Sequence, residues 1–169
     1  YLAENFFPVT VHAGEAAGSA SIRSALIDGR ALRLGHGVRI AEDLQVITQE
    51  GDEVQVQFGD LARWVRDREI PLELSPSSNL QTGAIAAWGD TLADHPFDLL
   101  QLGFAVTVNV DNRTMSATSL TRELANLVET FEYDLDDLET FQFNAAAAAF
   151  LPVEEREELV EMIADGFDI

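Results

Sequence analysis

The chain has 169 residues, 47% of them hydrophobic, enough for one ordinary domain with a core of its own. Thirty acidic residues stand against ten basic ones, all arginine, and the resulting charge of −20 repels nucleic acid and anionic membranes. No run approaches the length of a membrane span, and the absence of cysteine rules out disulfides and thiolate zinc sites while suiting a reducing cytoplasm.

Four short runs rich in Val and Leu recur, each followed by a segment with helical spacing. The first, Pro8 to His12, starts almost at once after Tyr1, so the beginning of the chain says nothing of targeting. A helix capped at Ser19 follows, with Ile22 and Leu26 on one face and Gly29 at its end. The second run is Leu32 to His36. After it the spacing predicts a short helix at Ile40 to Leu44, an acidic, glycine-containing excursion, and a helix from Leu61 to Arg68.

The third run, Pro71 to Leu74, leads into Ser75-Pro76-Ser77-Ser78-Asn79, and the fourth, Ala105 to Val110, follows a short helix at Pro96 to Leu102 and stops at Asp111-Asn112. Beyond it, Leu120, Leu124, Leu127, Val128 and Phe131 form an amphipathic stripe behind a Thr118 or Ser119 cap. Further helices are expected over Asp136 to Phe150 and from Pro152 to Gly166. Between Glu129 and Asp165 twelve acidic residues face the single Arg156, the pattern of a solvated helical surface. Strands alternating with helices argue for a parallel α/β sheet.

Polar groups collect at the ends of these strands: His12 with Glu15, then His36, then Ser77 with Asn79, then Asp111 with Asn112. In parallel α/β barrels that rim is where active sites are built. Imidazole and carboxylate are good zinc ligands, and His12 and Asp111 supply one of each. A neighbouring His can orient a water or take its proton, and a Glu can donate one.

The segments His12-Ala13-Gly14-Glu15, Leu34-Gly35-His36-Gly37, Leu74 to Asn79 with Thr82-Gly83, and Val108 to Asn112 occur in the order seen in adenosine deaminases. Ser119-Leu120 and the tail Asn144-Ala145-Ala146 to Pro152 extend the resemblance over nearly the whole chain. It implies an α/β fold that is the C-terminal half of a TIM (β/α)8 barrel with additional C-terminal helices, residues 1–169 forming half of a single barrel domain. It also implies Zn2+ as cofactor, with His12 and Asp111 as metal ligands, Glu15 as the acid that protonates purine N1, and His36 as the residue orienting or deprotonating the attacking water. The implied reaction converts adenosine or deoxyadenosine to inosine or deoxyinosine and ammonia.

Two departures from the family pattern bear on this expectation. Many members carry a second Asp after the metal-binding one, where this chain has Asn112. That position is expected to hydrogen-bond purine N7, an acceptor only. An aspartate there must hold a proton, whereas the Asn amide is already a donor.

The larger departure is that the His-x-His pair, which the family places on the first barrel strand as two further zinc ligands, does not occur. His95, in Asp94-His95-Pro96, reads as an ordinary helix-entry residue and cannot replace them. A complete barrel needs ~250 residues, so the N-terminal half is expected to come from a separate chain or from another copy of this one. The isolated chain is then expected to be inactive. Deamination of adenine or another 6-aminopurine keeps the chemistry with a different substrate, and a non-catalytic half-barrel binding module is the reading from another class.

Overall fold

The computed structural model describes residues 1–50 and 53–167. The chain opens with β1 (Thr10–Ala13), α1 (Ser19–Ile27) and β2 (Arg33–His36), followed by the strands β3 (Leu44–Glu50) and β4 (Glu53–Phe58). It continues through α2 (Asp60–Asp67), β5 (Leu72–Leu74), α3 (Pro76–Thr82) and β6 (Val106–Val108). Four helices close it: α4 (Arg113–Ser116), α5 (Leu120–Phe131), α6 (Leu135–Ala148) and α7 (Val153–Phe167). No helix among the described residues is long and apolar enough to cross a membrane.

The four expected strands form one parallel sheet in the order β1-β2-β5-β6. In a parallel ladder, paired residues share a face. Register therefore aligns Val11, Leu34, Leu72 and Val106 in one row, and Leu34, Leu72 and Val106 are fully buried. This apolar face meets the helices. Ile22 of α1, Val65 of α2 and Leu127 of α5 are also fully buried, each contributing about 1.5–3 kcal/mol relative to exposure.

The opposite face is polar. Thr10, Arg33 and Glu73 lie on it and are joined to one another: Thr10 Oγ1 donates to Glu73 Oε2 at 3.0 Å, and the Arg33 guanidinium forms an ion pair with Glu73, Nε to Oε1 2.8 Å. A parallel sheet normally has both faces covered. Here α1, α2 and α5 pack on the apolar one, the end of α6 and Phe150 reach Arg33 on the polar one, and β1 and β6 are the outer strands of the sheet.

Several local expectations are corrected. The acidic excursion is in its described part an antiparallel hairpin, β3 with β4, pairing Leu44 with Phe58 and Val46 with Val56. Gly51 lies outside the described residues. The Val-Gln-Val-Gln-Phe alternation of 54–58 marks a strand, but Val46, Ile47 and Val54 are exposed, and of the hairpin's apolar residues Leu44 and Phe58 at its base pack against the core. The helix expected at Ile40 to Leu44 is a 3-10 turn over Val38–Asp43, cut short because Leu44 enters β3. That expected at Pro96 to Leu102 is likewise a 3-10 turn, Pro96–Leu100. Gly18, not Ser19, caps α1, and the Ser19 N–H is taken instead by Glu42 Oε2 at 3.0 Å.

Ser75 to Asn79 is the correction that matters most for function. Expected only as the segment that follows the third strand, it opens α3, with Pro76 in the first turn, where its missing N–H costs nothing. Glu123 of α5 secures that turn. Fully buried, it accepts from the Ser77 N–H at 3.1 Å, from Ser77 Oγ at 2.6 Å and from Thr118 Oγ1. Ser77, a candidate rim residue, therefore faces away from the strand ends.

Removing the Glu123 carboxylate leaves those half-buried donors without their acceptor, at about 1 kcal/mol or more for each. Glu123→Ala should lower the free energy of unfolding by about 3 kcal/mol in urea titration. A loss below about 1 kcal/mol would contradict the role given to this carboxylate.

Candidate active site

The site begins where β1 ends. Gly14 has φ +67, and a Cβ there would lie 2.6 Å from Ile22 Cδ1, so the turn demands glycine. This turn brings Glu15 back beside His12, with His12 Nε2 and Glu15 Oε2 2.7 Å apart. The Glu15 side chain is only 12% exposed, and its other oxygen accepts from Thr82 Oγ1 of α3 at 2.9 Å.

His36 ends β2 in the left-handed region at φ 66, a conformation a non-glycine residue holds only where its surroundings fix it. Its surroundings do so from both sides of the ring. Nε2 lies 3.5 Å from Glu15 Oε2, Nδ1 lies 2.8 Å from Asn79 Nδ2, and the ring centroid is 4.4 Å from that of His12. Burial holds the His36 imidazole below its ordinary pKa, against the Glu15 carboxylate, which raises it.

Asp111 follows β6, also left-handed at φ 49, and its Oδ2 accepts from Ser78 Oγ at 2.6 Å. Asn112 caps α4, its Oδ1 accepting from the Met115 N–H at 3.0 Å. That contact occupies the amide oxygen and leaves the amide nitrogen as the donor end. His12, His36, Glu73, Asn109 and Asp111 line one open cleft of about 320 Å3. Gly35 forms its floor, where a Cβ would come within 3.2 Å of His12 Cα.

The five expected site residues thus gather at one end of the sheet, though not as one ligand cluster. His12, Glu15 and His36 can bring ligand atoms within 4.8 Å of one another. Asp111 stands across the same cleft and outside that group. A mixed imidazole and carboxylate set at an open cleft fits a hard or borderline divalent metal such as zinc. The Ser78 hydroxyl, donating to Asp111 Oδ2, holds that carboxylate in place.

Sequence reading missed the roles of Ser78, Asn79 and Thr82. Once residues 76–82 are helical, Thr82 lies one turn beyond both Asn79 (i+3) and Ser78 (i+4), which brings the three toward one side of α3, and that spacing was the available signal. His95 does stand before a 3-10 turn as expected, yet it is only 2% exposed, and its Nε2 lies 3.1 Å from Asn79 Oδ1. No local pattern announces this contact, because the partner is 16 residues away.

Four parallel strands with helices on one face and polar groups at their carboxyl ends define half of a (β/α)8 barrel. The family model described as adenosine deaminase matches residues 3–166. The chain belongs to the adenosine deaminase family. It is 48% identical over 164 residues to the adenosine deaminase of Mycobacterium avium, covering 96% of this chain and 44% of that relative. With adenosine deaminase 1 of Streptomyces coelicolor it shares 51% identity over 160 residues, 94% of this chain and 38% of that relative.

Among solved structures, an adenine deaminase from Arthrobacter aurescens aligns with 99% of the chain and 46% of its own at a TM-score of 0.84 and 24% identity. An amidohydrolase from Burkhoderia ambifaria with bound Zn aligns with 98% and 42% at 0.78 and 20%. The chain spans less than half the length of these relatives. The expected barrel-half fold is borne out by these likenesses.

Burial keeps His95 neutral down to about 3, whereas a histidine in the unfolded chain takes a proton near 6.5. Between these values the unfolded state binds one more proton. Stability contributed at this site is therefore present above 6.5 and falls as pH drops below it, by up to about 1.4 kcal/mol per pH unit. His95→Gln should remove that slope from urea-unfolding free energies followed from about pH 7 to about pH 5. Equal slopes in the two proteins would contradict the buried, neutral state of His95.

Proposed function

We propose that this chain contributes half of the active site of a zinc-dependent deaminase. The reaction is hydrolysis of the 6-amino group of adenosine or deoxyadenosine, giving inosine or deoxyinosine and ammonia in cytoplasmic purine salvage. The observation that carries the proposal is the convergence of His12, His36 and Asp111 on one cleft at the strand ends, with Glu15 beside the two imidazoles, in a chain that aligns along its length with adenosine deaminases.

His12 and Asp111 would hold the zinc, together with ligands from the rest of the barrel, and the metal would supply acidification of a water toward a pKa of ~7. The chain's own residues do the remaining work. Glu15, anchored by Thr82, gives its proton to purine N1, which draws electrons from C6 and opens it to water. His36 orients that water or takes its proton. The water oxygen bonds to C6, the C6–N bond breaks, and the amino group leaves as ammonia after gaining a proton. Asn112 donates from its amide nitrogen to N7.

The polar inner face and the two open edges of the sheet call for a partner that supplies the remaining strands. That partner is the N-terminal half of the same barrel, or a second copy of this chain in its place. The sugar-contacting side of the pocket falls largely to it. Adenine and other 6-aminopurines therefore belong in the same assay, with inosine or hypoxanthine formation read by absorbance. A completed barrel that turns over none of these substrates would leave the non-catalytic binding module as the account of this fold.

Loss of the proton donor should cost general-acid catalysis, so Glu15→Gln should lower kcat in the completed barrel by roughly 10²–10⁴-fold. Activity within about threefold of the parent would remove Glu15 from the mechanism. Asn112→Asp must carry a proton to serve N7, and its pH–rate profile should fall more steeply toward high pH than the parent's. Superimposable profiles would count against the N7 contact.

A further inference from the structure

His36, Asn79 and His95 form a buried chain of side chains, with exposures of 4%, 0% and 2%. The two ends of the Asn79 amide reach two different imidazoles: Nδ2 lies 2.8 Å from His36 Nδ1, and Oδ1 lies 3.1 Å from His95 Nε2. Neither imidazole is close in sequence to the other, yet one amide ties their protons together.

Only two proton arrangements satisfy that amide when both rings are neutral. In the first, Asn79 donates to His36 Nδ1 and accepts from His95 Nε2–H. The His36 proton then sits on Nε2, and His95 Nδ1 is left with a bare lone pair. In the second the amide is turned over, the His36 proton sits on Nδ1, and the proton of His95 is forced onto its own Nδ1. That nitrogen is buried with no partner among the described residues, beside the Phe97 ring at 5.1 Å. A buried N–H with no acceptor is the rarer and more costly orphan, so the first arrangement holds.

We propose that His95 acts through Asn79 as a positioning residue that keeps the His36 proton on Nε2, so that His36 meets the cleft as a hydrogen-bond donor. Nε2 is the nitrogen that faces Glu15 Oε2 at 3.5 Å, on the side from which substrate and water arrive. Of the two roles open to His36, this selects orienting the water over taking its proton. The consequence for catalysis rests on the deaminase reading given above; the tautomer itself does not.

The test reads the tautomer directly. With histidine labelled by 15N, long-range 1H–15N correlation spectra of the protein should show His36 with a lone-pair Nδ1 and a protonated Nε2, and His95 likewise protonated on Nε2. A His36 proton on Nδ1 in the parent protein overturns the proposal. His95→Leu, which removes the donor to Asn79, should shift His36 toward a mixture of tautomers, and His95→Gln, which keeps a donor, should restore the parent signals. Unchanged His36 signals in a folded His95→Leu protein also overturn it.

If His95→Leu does not fold, Asn79→Asp serves instead: a carboxylate can only accept, so the His36 proton must move to Nδ1, and failure to move refutes the link. In the completed enzyme, His95→Leu should lower kcat by roughly 10–100-fold with KM held, and His95→Gln should recover it. Deamination with the His36 proton on Nδ1 refutes this inference and spares the deaminase reading. The expected tautomers without deamination do the reverse.

Discussion

Thr10, Arg33 and Glu73 are joined to one another across the inner face of the sheet, and this polar row constrains everything around it. A charged row cannot be covered by an apolar helix layer without leaving its groups unpaired. Helices α1, α2 and α5 pack instead on the opposite face, where Leu34, Leu72 and Val106 are fully buried. A sheet so divided has an inside and an outside, and its inside suits the interior of a barrel whose other strands must supply the facing wall.

The same division explains how the rim residues come together. Strand register sets His12 beside Gly35 and Ala13 beside His36, so two imidazoles from neighbouring strands meet at one end. The left-handed backbone at His36 and Asp111 turns each chain sharply as its strand ends. Helix α3 then locks the cluster from behind. Ser78 holds Asp111, Asn79 holds His36, and Thr82 holds Glu15, so a single seven-residue helix touches three of the four strand-end groups. Its own first turn is pinned by the buried Glu123.

Much of this was legible in the residues. The four Val- and Leu-rich runs gave each strand of the sheet with ends within two residues, because parallel strands buried by helices stand out as apolar runs. Helix α5 announced itself through its cap and amphipathic spacing, Ser119 accepting from the Arg122 N–H, whereas the Asp134 cap that opens α6 was not read from the residues. The strand-end residues His12, Glu15, His36 and Asp111 were visible as a recurring position. What stayed hidden depends on distance or on faces. The hairpin leaves Val46, Ile47 and Val54 exposed, α3 was masked by a Ser-Pro opening that also suits a loop, and the His95 contact joins residues that no periodicity connects. The alanines at 145–149, which suggest close helix packing, end α6 and supply its cap, but only Ala146 is buried.

The central claim is that half of a zinc deaminase site resides in this chain and that the complementary half-barrel completes it. Zinc content and inosine formation should be measured for the chain alone and again after the N-terminal half is added. The account predicts neither bound zinc in stoichiometric amount nor turnover from the chain alone, and both together in the reconstituted barrel. Substantial turnover by the chain alone, or a reconstituted barrel that binds zinc and forms no product, would contradict it.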